Sequence, residues 1–223
     1  ISAGTGAISL KGRGFAGTDY ADGIYVTNGS LIKTIGTGTI TLEGFGGGGD
    51  GYYYLNTGVR LGTNATISSV NGDISIAGTG GAGTDGDNYG LYIHNGAIIA
   101  STGTGNISMT GQGGFDGEGL QIANGAVVQS TSGAIELNGT GGDGYYGYLH
   151  GVELYNGARV NSTSGNITLT GVGGYSDGNN VGIVVSDSGT EIASVSGNIL
   201  LDGTGAGYGG GNHGIRIEYG GVV

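Results

Sequence analysis

One five-residue phrase recurs seven times along this chain: glycine, any residue, isoleucine, any residue, then a second aliphatic or methionine. Its central isoleucines are Ile8, Ile40, Ile74, Ile107, Ile135, Ile167 and Ile199, separated by 32, 34, 33, 28, 32 and 32 residues. Self-similarity at a period of roughly 20–50 residues is the mark of a stacked-repeat architecture. Two further phrases fall between successive copies. One reads glycine, aliphatic, any, aliphatic, any, Asn, Gly, as in Gly90–Gly96, Gly119–Gly125 and Gly151–Gly157. The other is an aliphatic, any residue, then Ser or Thr, as in Ile67/Ser69, Ile99/Ser101 and Val160/Ser162.

Each phrase alternates with period two, the pattern of a half-buried strand. Each is short and ends in glycine or Asn-Gly, which is turn chemistry. No stretch carries helical periodicity. Three short strands per repeat predict an all-β fold: a right-handed parallel β-helix of seven coils, each of about 32 residues. Five aliphatic columns should then run through its core. They start at Ile8, Leu10, Ile24, Val26 and Ile32 and end at Ile199, Leu201, Ile215, Ile217 and Val223. Asn28, Asn95, Asn124, Asn156 and Asp187 should form a further column at a corner. Asn64 should replace the glycine of that corner, because asparagine tolerates positive φ next best.

Composition removes the competing classes. The chain has 58 glycines but no proline, and glycine does not fall at every third position, so collagen is excluded. With no cysteine there is no disulfide framework and no thiolate metal site. Six Lys+Arg against a net charge of −11 argue against a nucleic-acid partner. No apolar run approaches the roughly 18 residues of a membrane span.

The segment between the first and second phrases varies in length and is rich in glycine, aspartate and tyrosine. Insertions on one side of a solenoid mark an interaction face. Its aromatics are Phe15, Tyr20, Tyr52, Tyr53, Tyr54, Tyr89, Phe115, Tyr145, Tyr146, Tyr175 and Tyr208. These rings either form an exposed strip for surface glycans or a neighbouring fibre, or fold back over glycine-rich backbone. Among the acids, Asp50, Asp85, Asp87 and Asp143 are the calcium candidates, Ca²⁺ being the one cofactor the sequence suggests. Gly80–Asp85 matches the opening of a calcium-binding nonapeptide repeat, but Asp87 occupies its next hydrophobic position.

No enzyme site is expected. The outward columns of the second strand scatter their charges, and no two carboxylates are expected in adjacent coils. His94, His150 and His213 are expected at the surface and form no metal triad. A flat Thr ladder for ice is interrupted at Glu136 and Leu200.

Reading Val223 on into Ile1–Ile8 reproduces Ile99–Ile107 and would put Ser2 in the Ser/Thr column. On that reading residues 1–223 are one array within a longer chain or fibre, whose partners are copies of itself, end to end or laterally. The stretch Ser162–Gly171, Ser-Thr-Ser-Gly-Asn-Ile-Thr-Leu-Thr-Gly, followed by Gly-Gly and Gly-Ile-x-Val, resembles repeats of filamentous-haemagglutinin-type β-helices in large secreted bacterial proteins, including cyanobacterial ones. The resemblance covers all seven repeats. It implies export and a structural or adhesive role in an extracellular or cell-surface fibre. The alternative is a carbohydrate-binding, less readily carbohydrate-cleaving, β-helix that uses the Tyr/Asp-rich loops.

Overall fold

A computed structural model describes residues 1–15, 20–48, 55–83 and 86–223. The described residues form 21 strands and no helix. The strands make three parallel seven-stranded sheets, each built from every third strand in chain order. The chain is therefore a parallel β-solenoid with three strands per coil, making six turns from the strand at Ile8 to the strand at Ile199.

The first sheet holds the strands that begin at the repeated isoleucines, such as Ile40–Phe45 and Ile135–Thr140. Ile8 pairs with Ile40, Ile40 with Ile74, and so on without a slip to Ile199. The second sheet holds Leu91–Ile93, Leu120–Ala123, Val152–Tyr155 and their equivalents, again in unbroken register. The third holds Thr66–Ser69, Val127–Ser130, Arg159–Ser162 and their equivalents.

The five aliphatic columns all form. In the interior coils Ile40, Leu42, Val59, Leu61 and Ile67 are fully buried. Alternation does this: in Ile74–Thr79 every second residue is buried and its neighbours face solvent. Ile215 and Ile217 belong to the third and fourth columns but are 40% and 49% exposed, because no coil lies over them. The isolated bridge between Glu191 and Val222 carries the fifth column past Ile192 towards Val223.

Glycine sets the width of the shaft. Gly12, Gly44, Gly78, Gly111, Gly139, Gly171 and Gly203 form one in-register column. A Cβ on any of them would lie 1.9–2.2 Å from the carbonyl oxygen of a second glycine, the one that opens the next strand of the same coil. Only glycine permits two backbones to approach this closely.

The Asn-Gly corner follows the sequence reading. Asn28, Asn95, Asn124, Asn156 and Asp187 all have φ between 51° and 73°, and Asn64 has φ 54° at the glycine position. Among these side chains Asn156 Nδ2 donates to Asn124 Oδ1 at 2.6 Å, and the Asn156 amide to Asp187 Oδ2 at 3.2 Å. The Ser/Thr column faces inward and caps the turn that follows: Ser69 and Ser130 hydroxyls donate to the Gly72 and Gly133 carbonyls, each at 2.6 Å.

One expectation is corrected. Ser2 pairs with Lys33, and Ala3 pairs with Thr34, so Ala3 and not Ser2 occupies the Ser/Thr column. The turn into the first sheet has two lengths. Ile8 follows Ala3 by five residues, as Ile135 follows Ser130, whereas Ile107 follows Ser101 by six. Alignment to the longer version shifts the register by one residue.

Candidate functional site

The variable loops leave the first sheet and return to the second. Their far ends are not variable. In every coil the return is a residue at positive φ, one inward residue, one outward residue and glycine. The positive-φ residues are Tyr20, Leu55, Asp87, Asp116, Tyr148 and Asn179, with φ between 50° and 73°, and Gly211 with φ 81°. The inward positions carry Asn56, Asn88, Asn180 and Asn212. Asn56 Nδ2 donates to Asn88 Oδ1 at 3.2 Å, the Leu149 amide to Asn180 Oδ1 at 3.1 Å, and the Asn180 amide to Asn212 Oδ1 at 2.9 Å. Asn56, Asn88 and Asn180 are buried. A buried amide that bonds across coils satisfies loop backbone that no strand pairs. This second asparagine column escaped the sequence reading, although Asn-x-Gly before an aliphatic was its signal at positions 56, 88, 180 and 212.

The outward residue of that return stands beside the outward face of the second sheet, and there titratable groups gather. Gln121 Nε2 donates to Glu118 Oε2 at 3.1 Å and to Glu153 Oε2 at 2.9 Å. Glu118 and Glu153, from adjacent coils, are thus held on the same amide nitrogen. Two carboxylates this close cannot both ionise cheaply. Burial, then the neighbouring Glu153, pushes the Glu118 carboxyl well above the usual range. Burial likewise raises Glu153, against the opposing pull of Gln121, Glu118 and Arg216. Within the outward strand columns no two carboxylates fall in adjacent coils, as expected, yet Glu118 of the return meets Glu153 of the next coil. Glu118 lies outside the strand-periodic positions, so the strand columns alone could not show the pair.

His150 is also not at the surface. It is 1% exposed, and its Nδ1 accepts from the Val181 amide at 3.2 Å, which leaves the proton on Nε2. Burial, then Arg216, lowers its pKa to about 4. His213 is exposed and His94 half-buried. Around them Tyr89 packs on Tyr92 at 4.8 Å between ring centroids, and Tyr92 stacks on His94 at 4.1 Å. Arg60 pairs with the buried Asp22 and lies 3.9 Å above the Tyr25 ring.

The aromatic loop residues divide between the two expected behaviours. Tyr89 folds back and donates its hydroxyl to Asp87 Oδ1 at 2.9 Å. Tyr20, Tyr145, Tyr146, Tyr175 and Tyr208 point outward, the last four being 49–74% exposed. Phe115 meets Tyr145 edge-on at 5.1 Å, and Tyr175 meets Tyr208 edge-on at 4.5 Å, so rings pair across successive coils. Tyr52, Tyr53 and Tyr54 lie outside the described residues.

Of the calcium candidates, Asp50 and Asp85 also lie outside the described residues. Asp87 is engaged by Tyr89, and Asp143 sits apart in a bridge to Tyr175. Among the described residues no three His, Asp or Glu side chains are grouped to hold a metal ion.

A cavity of about 200 Å³ opens between the returns of three coils, with Asp87, Tyr89, Asp116, Glu118, Tyr146 and Tyr148 on its walls. Asp116 belongs to the row of loop acids, one or two in every coil but the last, but is not among the four calcium candidates. Its Oδ1 accepts from the Tyr145 amide at 2.8 Å and the Tyr146 amide at 3.1 Å. Its Oδ2 is buried with no hydrogen-bond partner among the described residues.

These features define a β-solenoid whose one edge carries exposed rings and a carboxylate-lined cavity. No protein-family model, curated protein or solved structure matches the chain.

Proposed function

We propose that this chain is a structural and adhesive segment of an extracellular or cell-surface bacterial fibre of the filamentous-haemagglutinin type, whose partners are further copies of the same solenoid. The observation that supports this reading most is the unbroken register of all three sheets across the repeats. Such a stack is rigid along its axis, adds length without changing cross-section, and spends its sequence on the shaft. Electron microscopy of the native material tests it: filaments of uniform width are expected, and discrete globular particles would refute it.

The edge supports a second reading, carbohydrate binding. Tyr175 and Tyr208 present their rings from successive coils, as do Phe115 and Tyr145. Exposed rings in a row suit the flat faces of a polysaccharide. A glycan array probed with the chain and with the double variant Tyr175→Ala/Tyr208→Ala is the test. Binding should fall about tenfold in the variant; equal signals from both proteins would remove the ring face from the reading.

A further inference from the structure

The cavity between the returns of three coils has a charge problem that the chain itself does not solve. Three carboxyl side chains line it, Asp87, Asp116 and Glu118, and no Lys or Arg does. Asp87 accepts from Tyr89, and Glu118 from Gln121. Asp116 is different. It is 7% exposed, one of its oxygens is taken by two backbone amides, and the other has no partner among the described residues. A buried, half-satisfied carboxylate is costly, and a cationic N–H donor is the strongest partner it can take. Three tyrosines, Tyr89, Tyr146 and Tyr148, complete the walls with Leu149, Gly86 and Gly147. Aromatic side chains attract a cation through the ring face and cover apolar sugar surface.

We propose that this cavity binds the protonated primary amine of an amino sugar, with Asp116 as its principal anionic contact, an assignment that rests on the carbohydrate-binding reading of the same edge. Size limits the ligand. A cavity of about 200 Å³ lies below the roughly 300–1,000 Å³ of sites for drug-sized ligands, so it takes one sugar ring. Tyr146 and Tyr148 stand 68% and 61% exposed, and Tyr145 of the same loop 74%. The neighbouring units of an oligosaccharide therefore have rings to lie on, which a lone ammonium group does not need. A hard metal ion is a poorer fit, because among the described residues no three carboxylates converge.

Calorimetric titration of the whole chain distinguishes the possibilities, with four probes: a glucosamine trimer, an N-acetylglucosamine trimer, n-butylamine and calcium chloride. The glucosamine trimer should bind, and the acetylated trimer, with the same rings but no charge, should bind at least about tenfold more weakly. Asp116→Asn keeps the acceptor for the Tyr145 and Tyr146 amides but removes the charge, and should weaken the glucosamine trimer about tenfold at a melting temperature no lower than that of the parent chain. Glu118→Gln is the second variant and should also weaken it, by less. Equal binding of both trimers overturns the ammonium assignment and leaves the sugar face standing. Butylamine binding as tightly as the glucosamine trimer overturns the sugar. A calcium heat abolished by Asp116→Asn overturns both in favour of a metal. No heat from either trimer, with a glycan array still positive through Tyr175 and Tyr208, removes this pocket alone; a silent array as well removes the carbohydrate reading with it.

Discussion

Gly139 and Gly125 are both replaceable by alanine on paper, yet different physics governs the two sites. At Gly139 a methyl group would lie 2.0 Å from the Gly151 carbonyl oxygen and 2.8 Å from Val152 Cγ2. The first obstacle is backbone of the same coil, locked by its ladder bonds, so it cannot step aside. At Gly125 nothing lies within 4 Å, and only the φ of +73° opposes a side chain. Left-handed backbone costs an L-residue about 1–2 kcal/mol, whereas overpacking costs about 1–3 kcal/mol and more where backbone must move. Gly139→Ala should therefore destabilise by about 3 kcal/mol or more, and Gly125→Ala by about 1 kcal/mol. In a chain of this size that corresponds to a fall in melting temperature of about 6–12 °C against about 2–4 °C. Thermal denaturation of the two variants side by side checks the order; a larger loss at Gly125 would mean the facing glycine columns do not set the width of the shaft.

At the scale of the element, the second sheet and the returns that feed it carry a pH dependence of two opposite signs. Glu118 holds its proton to higher pH when folded than when unfolded, because it is buried against Glu153. Its stabilising share is complete below the unfolded carboxyl pKa of about 4.5 and is lost as pH rises through the raised folded value. Asp87 and Tyr89 face Glu118 from the neighbouring return, and His150, Arg216 and Asp187 face Glu153. Gln121 opposes the effect at Glu118, and Gln121 and Arg216 oppose it at Glu153. His150 works the other way. With its folded pKa lowered to about 4, it stabilises fully above the unfolded value of about 6.5 and loses that share as pH falls towards 4. Stability should thus peak at mildly acidic pH and decline on both sides. Glu118→Gln should flatten the alkaline limb and leave the acid limb in place. Urea melts from pH 4 to 9 on both proteins make the comparison; parallel curves on the alkaline side would dismiss the shared proton.

The same element shows what the sequence could and could not disclose. Strand phrases of period two fixed the register of Ile40 on Ile74, because a one-residue slip would turn every aliphatic outward. The loops obey no such rule. Glu118 and His150 precede their strands by two residues, outside any alternation, so their burial depends on how the return folds. Asp116 is harder still: its value lies in an oxygen left without a partner, which depends on the amides of Tyr145 and Tyr146 in the next coil. By contrast the Asn56–Asn88 column repeats at a fixed offset from Gly58 and Gly90, and was legible in principle. Ser2 was misplaced for a similar reason, since a turn of variable length cannot be phased from one example.

For the whole molecule, a solenoid built from nearest-neighbour coils should tolerate the loss of one coil but not of a fraction of one. Removing residues 135–166 excises one full period of 32 residues and joins Ala134 to Ile167. The strand Ile167–Val172 then meets Ile107–Gln112, Val152–Tyr155 is replaced on Leu120–Ala123 by Ile183–Ser186, and the Ser130 column continues at Ser194. Each aliphatic lands on an aliphatic and each core glycine on a glycine. Removing only residues 135–150 instead sets strands of the second phrase against the first sheet, where the glycine at Gly139 has no counterpart. The full deletion should keep the β-sheet circular dichroism per residue and a cooperative melt. The half deletion should lose both. The full deletion also removes Glu153 and brings Val184 beside Gln121, so the alkaline decline should shrink with it, as in Glu118→Gln. A full-coil deletion that unfolds, while single-site core variants remain folded, would mean that stability is held by contacts beyond adjacent coils, and the picture of independent stacked units would have to be abandoned.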